Sequence, residues 1–119
     1  MVEAHAEAKY IRTSAQKAGL VMDQIRGRKA GDALQLLRFS KKGVARDIEK
    51  VLRSAMANAV QQADRQDKRR LDEDDLVVRA CFANQGPTQK RIRPAPMGRA
   101  FRILKRTAHL HIRVAEKEK

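Results

Sequence analysis

The sequence predicts an α+β fold: three helices packed on a small antiparallel sheet from which a long β-hairpin arm extends. Three observations carry that reading. Apolar residues recur at helical spacing in three stretches before residue 64. From Leu76 onward the period changes to two. Two alternating runs are then separated by a Pro- and Gly-rich segment that a central strand would not tolerate. A length of 119 residues suits one domain, 1–119, built on one modest core.

The first helix starts behind Ser14, whose hydroxyl can cap it. Ala18, Val21, Met22 and Ile25 form its inner stripe, and Gly27 offers a stop. A basic turn, Arg26-Gly27-Arg28-Lys29, leads to a short second helix with Ala33, Leu34 and Leu37 inward. Ser40 is expected to cap the third and longest helix. There Val44, Ile48, Val51, Leu52, Ala55, Ala59 and Ala63 line one face, while Arg46, Glu49, Lys50 and Arg53 face outward. Its Ala-rich half has little bulk, so a neighbour can approach closely. A polar connector follows at 64–75. Its carboxylates lack the alternating spacing and central Gly of a calcium loop, so it reads as a solvated link.

In the first alternating run Leu76, Val78, Ala80 and Phe82 oppose Val77, Arg79, Cys81 and Ala83. In the second, Leu104, Leu110, Ile112 and Val114 share one parity, and Lys105, Thr107, His109, His111 and Arg113 the other. Joined through Gly86-Pro87 and the segment from Arg93 to Arg99, they form two long strands of a hairpin, with the arm at about 84–106. A further short strand near residues 5–12 is expected to pair with the base of the hairpin.

Charge says what such an arm is for. The chain carries 27 Lys+Arg against 14 Asp+Glu, a net charge of +13. That surplus repels itself in a compact state, and a polyanion relieves it. Its distribution is sharper still. Residues 76–115 contain no Asp or Glu but nine bases: Arg79, Lys90, Arg91, Arg93, Arg99, Arg102, Lys105, Arg106 and Arg113. Eighteen bases and all 14 acids remain for the rest of the chain. A solvated face usually intersperses both signs. Arg outnumbers Lys seven to two in the arm, and a planar guanidinium fork suits phosphate oxygens. A free two-stranded ribbon is marginal in water, so contacts to nucleic acid would hold its outer half.

Other chemistries are poorly served. The single Cys81 excludes an intrachain disulfide and a multi-Cys zinc site, and it reads as a small buried strand residue. His109-x-His111 puts two imidazoles on one strand face without a third ligand nearby. There is no Gly-rich phosphate loop and no nucleophile beside a base, so no enzyme, metal or cofactor is expected. No signal peptide and no run of about 20 apolar residues is present, which points to the cytoplasm and away from membranes. Two classes remain: a structural RNA-binding protein, or a DNA-bending architectural protein with β-arms. The second needs an apolar wedge at the arm tip, for which Pro94 and Pro96 are the candidates.

Three stretches resemble one family. They are Tyr10-Ile11-Arg12-Thr13-Ser14 with Lys17-Ala18 and Ile25-Arg26-Gly27-Arg28-Lys29; the run from Lys50 to Ala59; and Gly86-Pro87-Thr88-Gln89-Lys90-Arg91-Ile92-Arg93-Pro94 with Gly98-Arg99-Ala100 and the run from Ile103 to His109. Together they resemble the bacterial large-subunit ribosomal protein L twenty-two family, over about residues 6–114. The resemblance implies a structural constituent of the large ribosomal subunit that binds several domains of the large-subunit ribosomal RNA. It also implies neighbouring ribosomal proteins as partners, a part in subunit assembly, and a hairpin tip in the wall of the peptide exit tunnel. Carried over by residue, it makes Arg12, Ser14, Lys17, Arg26, Arg28 and Lys29 RNA contacts of the body. Lys90, Arg91, Arg93, Arg99, Arg102, Lys105, Arg106 and His109 become RNA contacts of the arm. Met97, Gly98, Arg99 and Ala100 become the tunnel tip, facing nascent peptides and macrolides. The sequence departs from the family in three places, one of them the polar connector at 64–75, which is a little longer than usual. Ala15 stands where Pro is common, and Ala95 and Met97 stand where a base is frequent, so this tip is less charged.

Overall fold

Nine regular elements follow one another in the computed structural model, which describes residues 3–66, 68, 70–94, 98 and 100–116, with the backbone alone at 73, 92–94 and 100–103. They are β1 (Glu3–Ile11), α1 (Ala15–Ile25), α2 (Ala30–Phe39), α3 (Val44–Gln66), β2 (Leu76–Gln85), β3 (Gln89–Pro94), β4 (Ala100–Lys105) and β5 (Ala108–Glu116), with a 3₁₀ turn at Glu73–Asp75 before β2. The strands make two antiparallel sheets, one of three strands in the order β1-β5-β2 and one of two, β3-β4.

The helices form where the spacing places them. Ser14 is the N-cap of α1, its hydroxyl accepting the Lys17 N–H at 3.2 Å. Ala18, Val21, Met22 and Ile25 are buried, and Gly27 adopts the left-handed φ of +81° that ends the helix region. Ala33 and Leu37 of α2 are buried and Leu34 is half-buried. Ser40 does not cap α3. It closes α2, and its hydroxyl accepts the Lys42 N–H at 3.3 Å, four residues before α3 begins. In α3 the buried stripe runs from Ala45 through Ile48, Val51, Leu52, Ala55, Met56 and Ala59 to Ala63. Glu49 is half-buried rather than outward, because Arg53, one turn on, draws its carboxylate to 2.8 Å.

Ala4 and Ala6 of β1 are buried against α3, whose Ala55 and Ala59 allow the close approach. Asn58 seals that contact by donating to the His5 carbonyl at 3.0 Å. The first strand is thus longer than expected, and it pairs with β5 from Glu3↔Ala115 to Ile11↔Ala108. Leu110, Ile112 and Val114 of β5 complete the core between the sheet and the helices.

Two features of the strands differ from uninterrupted alternation. A bulge in β2 sets Val78 opposite Val114 but Ala80 opposite Arg113. The extra residue flips the parity, so Leu76, Val78 and then Cys81 face the core, while Ala80 is half-buried and Phe82 is 48% exposed. Each long strand is also broken. The three-stranded sheet ends at Gln85 and Ala108, and the separate ribbon begins with Gln89↔Lys105. Leu104 therefore lies on the ribbon, exposed, and not in the core with Leu110.

Candidate nucleic-acid interface

The junction between body and ribbon is built around Gly86. Its N–H donates to the Thr107 carbonyl at 2.9 Å, and the Thr107 hydroxyl donates to the Pro87 carbonyl at 2.7 Å. A side chain at residue 86 would meet the Thr107 hydroxyl oxygen at 2.6 Å and the His109 ring at 3.2 Å. Glycine thus lets the two segments pass closely as they leave the sheet.

Beside this crossing, β1 ends irregularly. Its register with β5 shifts between Ala8 and Ile11, and Tyr10 takes a left-handed φ of +60°. The Tyr10 N–H donates to His109 Nδ1 at 3.2 Å. The two rings meet edge to face with centroids 5.0 Å apart. The bulge turns Tyr10 and Arg12 toward the ribbon. An open cleft of about 670 Å³ results, lined by Tyr10, Arg12, Pro87, Gln89, Arg91, Lys105, Arg106 and Thr107. Antiparallel register explains the ribbon's share of it. Gln89, its partner Lys105 and, two residues along, Arg91 share one face, while Lys90 and Leu104 share the other. Arg91 is steadied by Gln89 at 3.2 Å.

Carboxylates divide the arm's bases into two groups. Arg79 and Arg113, although in the acid-free stretch of sequence, lie on the outer face of the three-stranded sheet, on β2 and β5. There Glu3 approaches them at 3.9 and 3.4 Å, and Glu7 approaches His111 at 3.2 Å. Among the described residues no carboxylate pairs with Arg12, Lys90, Arg91, Lys105 or Arg106. Within the arm, the uncompensated positive charge therefore lies on the ribbon and the cleft at its foot.

The expected body contacts fall in two places. Arg12, Ser14 and Lys17 cluster at the start of α1, near the cleft, although the Ser14 hydroxyl is occupied in capping. Arg26, Arg28 and Lys29 sit at its other end, about 16 Å along the helix axis. That turn is stitched to β2: the Gly27 N–H donates to the Val78 carbonyl, and the Val78 N–H to the Arg28 carbonyl, both at 2.9 Å. Arg26, although exposed, is committed to partners in its own chain, Asp23 at 2.7 Å and the Cys81 carbonyl at 2.7 Å. The Asp23 hydrogen bond, with smaller contributions from charge, holds its proton more firmly than usual. Arg28 donates to the Gln24 carbonyl at 2.8 Å, and Lys29 stays exposed.

On the arm, Lys90, Arg91, Lys105 and Arg106 are exposed, and His109 is half-buried behind Tyr10. Backbone register pairs Arg93 with Phe101 and Arg102 with Ile92, and Ala100 closes the ribbon opposite Pro94. The side chains of Arg93, Ala100 and Arg102, and all of Met97 and Arg99, lie outside the described residues. Gly98 has a left-handed φ of +71°. Among the described residues no group of His, Cys, Asp and Glu is arranged to hold a metal ion, and no helix is long and apolar enough to cross a membrane. Asp72 instead organises its own turn, its carboxylate accepting the Asp74 N–H at 3.1 Å.

Residues 6–115 match the family described as Ribosomal protein L22p/L17e. The chain belongs to that family. It is 50% identical over 117 residues to the large ribosomal subunit protein uL22 of Solibacter usitatus, covering 98% of this chain and 99% of that one. The uL22 of Koribacter versatilis is 49% identical over 98% of this chain and 69% of its own length. That of Clostridioides difficile is 44% identical over 98% of this chain and its whole length. Membership gives the chain a structural role in the ribosome and no catalytic one. It also sets aside the DNA-bending alternative.

Sequence reasoning missed Tyr10, Pro87, Gln89 and Thr107 as lining residues. Tyr10 did carry a signal, as the one Tyr of a chain without Trp, two residues from Arg12.

Proposed function

We propose that the chain is a structural constituent of the large ribosomal subunit, working in the cytoplasm, that binds large-subunit ribosomal RNA and supports subunit assembly. One observation carries the reading: uncompensated cations line both the cleft and the described part of a ribbon that leaves the core. Phosphates supply the missing counter-charge, and they steady a ribbon that is marginal by itself in water. On this reading residues 1–119 form one domain whose arm spans about 84–106. Arg12, Lys17, Arg28, Lys29, Lys90, Arg91, Lys105 and Arg106 contact RNA directly. Arg26, Ser14 and His109 hold neighbouring groups in place as well. Arg93, Arg99 and Arg102 extend the contacts outward. The tip, Met97, Gly98, Arg99 and Ala100, enters the wall of the peptide exit tunnel, open to nascent peptide and macrolides. Other large-subunit proteins border the body.

Filter binding of the whole chain to large-subunit ribosomal RNA tests this. Affinity should fall roughly 10²- to 10³-fold between about 50 and 200 mM salt as several phosphates regain counterions. A flat salt response would overturn the proposal.

A further inference from the structure

The structure assigns the cleft at the foot of the ribbon a task narrower than phosphate contact: we propose that it seats one unstacked nucleotide of an RNA strand. The base lies on the Tyr10 ring, and the flanking phosphates lie on Arg12, Arg91, Lys105 and Arg106. This rests on the RNA-binding reading above and specifies how one part of that interface works.

Tyr10 is the centre of the seat. Aromatics make up 3% of the chain, yet this ring is 64% exposed at the edge of a cationic cleft. Its left-handed backbone costs about 1 kcal/mol or more for a residue with a bulky side chain, and such strain persists only where the surroundings enforce it. Here the bulge, the hydrogen bond to His109 Nδ1 and the edge-on imidazole enforce it. The ring is a held platform and not a loose side chain. Phosphate contact alone needs no such ring. Recognition of a single strand combines a basic track with aromatic faces on which bases stack. A cleft of about 670 Å³ lies in the size class of small-ligand sites, with room for one nucleotide.

The other exposed ring near the sheet shows the contrast. Phe82 is already stacked on His111, with centroids 4.8 Å apart and planes 16° from parallel. The carboxylate of Glu7, 3.2 Å from His111, makes that surface hostile to phosphate. Tyr10 has cations for neighbours instead.

The composition supplies its own probe. With one Tyr and no Trp, the chain's intrinsic emission comes from Tyr10. Two single-stranded decamers would be titrated against the whole chain, one of adenosines and one abasic, with the same ribose-phosphate backbone. Oligoadenylate should quench the emission by half or more, whereas the abasic strand should bind with a similar salt slope and leave the emission near its free value. Tyr10→Leu should weaken oligoadenylate binding roughly tenfold and leave abasic binding unchanged, while Tyr10→Phe keeps most of the affinity. Arg106→Gln should weaken both strands alike. Equal quenching by the two strands, or equal oligoadenylate affinity of Tyr10→Leu and the parent, overturns the seat. If ribosomal RNA is still bound, only the seat falls. If the parent binds neither decamer nor ribosomal RNA, the RNA-binding reading falls with it.

Discussion

Cys81 sits where burial and a cation pull in opposite directions. Its thiol is buried in β2, donating to the Met22 carbonyl at 3.2 Å, and burial raises its pKa by disfavouring the thiolate. Arg26 opposes this from one side, but desolvation is the larger effect. An acid with a raised folded-state pKa keeps its proton after the unfolded chain has lost its own. Its contribution to stability is therefore whole below the ordinary thiol range and is lost as pH rises through the folded value. Urea unfolding at a series of alkaline pH values should show Cys81→Ala losing less stability across that window than the parent. Parallel slopes would remove the thiol from the account. The burial of this residue was legible in sequence, because a lone Cys in an apolar run is usually a small core residue. The conformation of Tyr10 was not. A left-handed, ring-bearing residue leaves no mark on composition or period, and here a register shift against β5 produces it.

Elements were legible where one physical period governed them. The stripes of α1 and α3 follow from spacing alone, and the small residues of α3 announced a close neighbour, though not that it would be β1. The strands show where period fails. One extra residue near Arg79 moves Cys81 to the core and Phe82 outward, and the alternation by itself does not announce it. The break after Gln85 did carry a sign, in Gly86-Pro87, but its meaning depends on contacts 20 residues away in sequence. Gly86→Ala tests that meaning. The added methyl would meet the Thr107 hydroxyl oxygen at 2.6 Å, and that hydroxyl can retreat only by giving up its bond to the Pro87 carbonyl. Destabilisation of about 1–3 kcal/mol is expected in thermal or urea unfolding, with weaker RNA binding as the ribbon is re-aimed. A variant with unchanged stability and affinity would show that the crossing is slack.

For the whole molecule, the decisive property is a separation of duties along an axis 68 Å long and at most 26 Å across. The charge asymmetry was visible in sequence, but its spatial pattern was only partly so. Glu3 and Glu7 lie over 70 residues from Arg79, Arg113 and His111, and sheet pairing brings them together. Within the arm, that pairing leaves the unbalanced charge on the ribbon and its foot. Folding, in contrast, depends on the other end. Between Ala83 and Ala108 no described residue packs into the core. Replacing residues 87–106 by a short turn joining β2 to β5 should therefore leave a folded body. A two-residue Asn-Gly turn suits the twist of the flanking strands. Its unfolding free energy should stay within about 2 kcal/mol of the parent, since what is lost is an exposed ribbon and what is gained is a shorter loop. Its ribosomal RNA affinity should drop steeply and its salt slope should shallow, because Lys90, Arg91, Lys105 and Arg106 leave with the ribbon. An unfolded body would mean that the ribbon helps to build the core. A folded body with parental affinity and slope would mean that RNA is held elsewhere, on the helices, and would undo the division of duties.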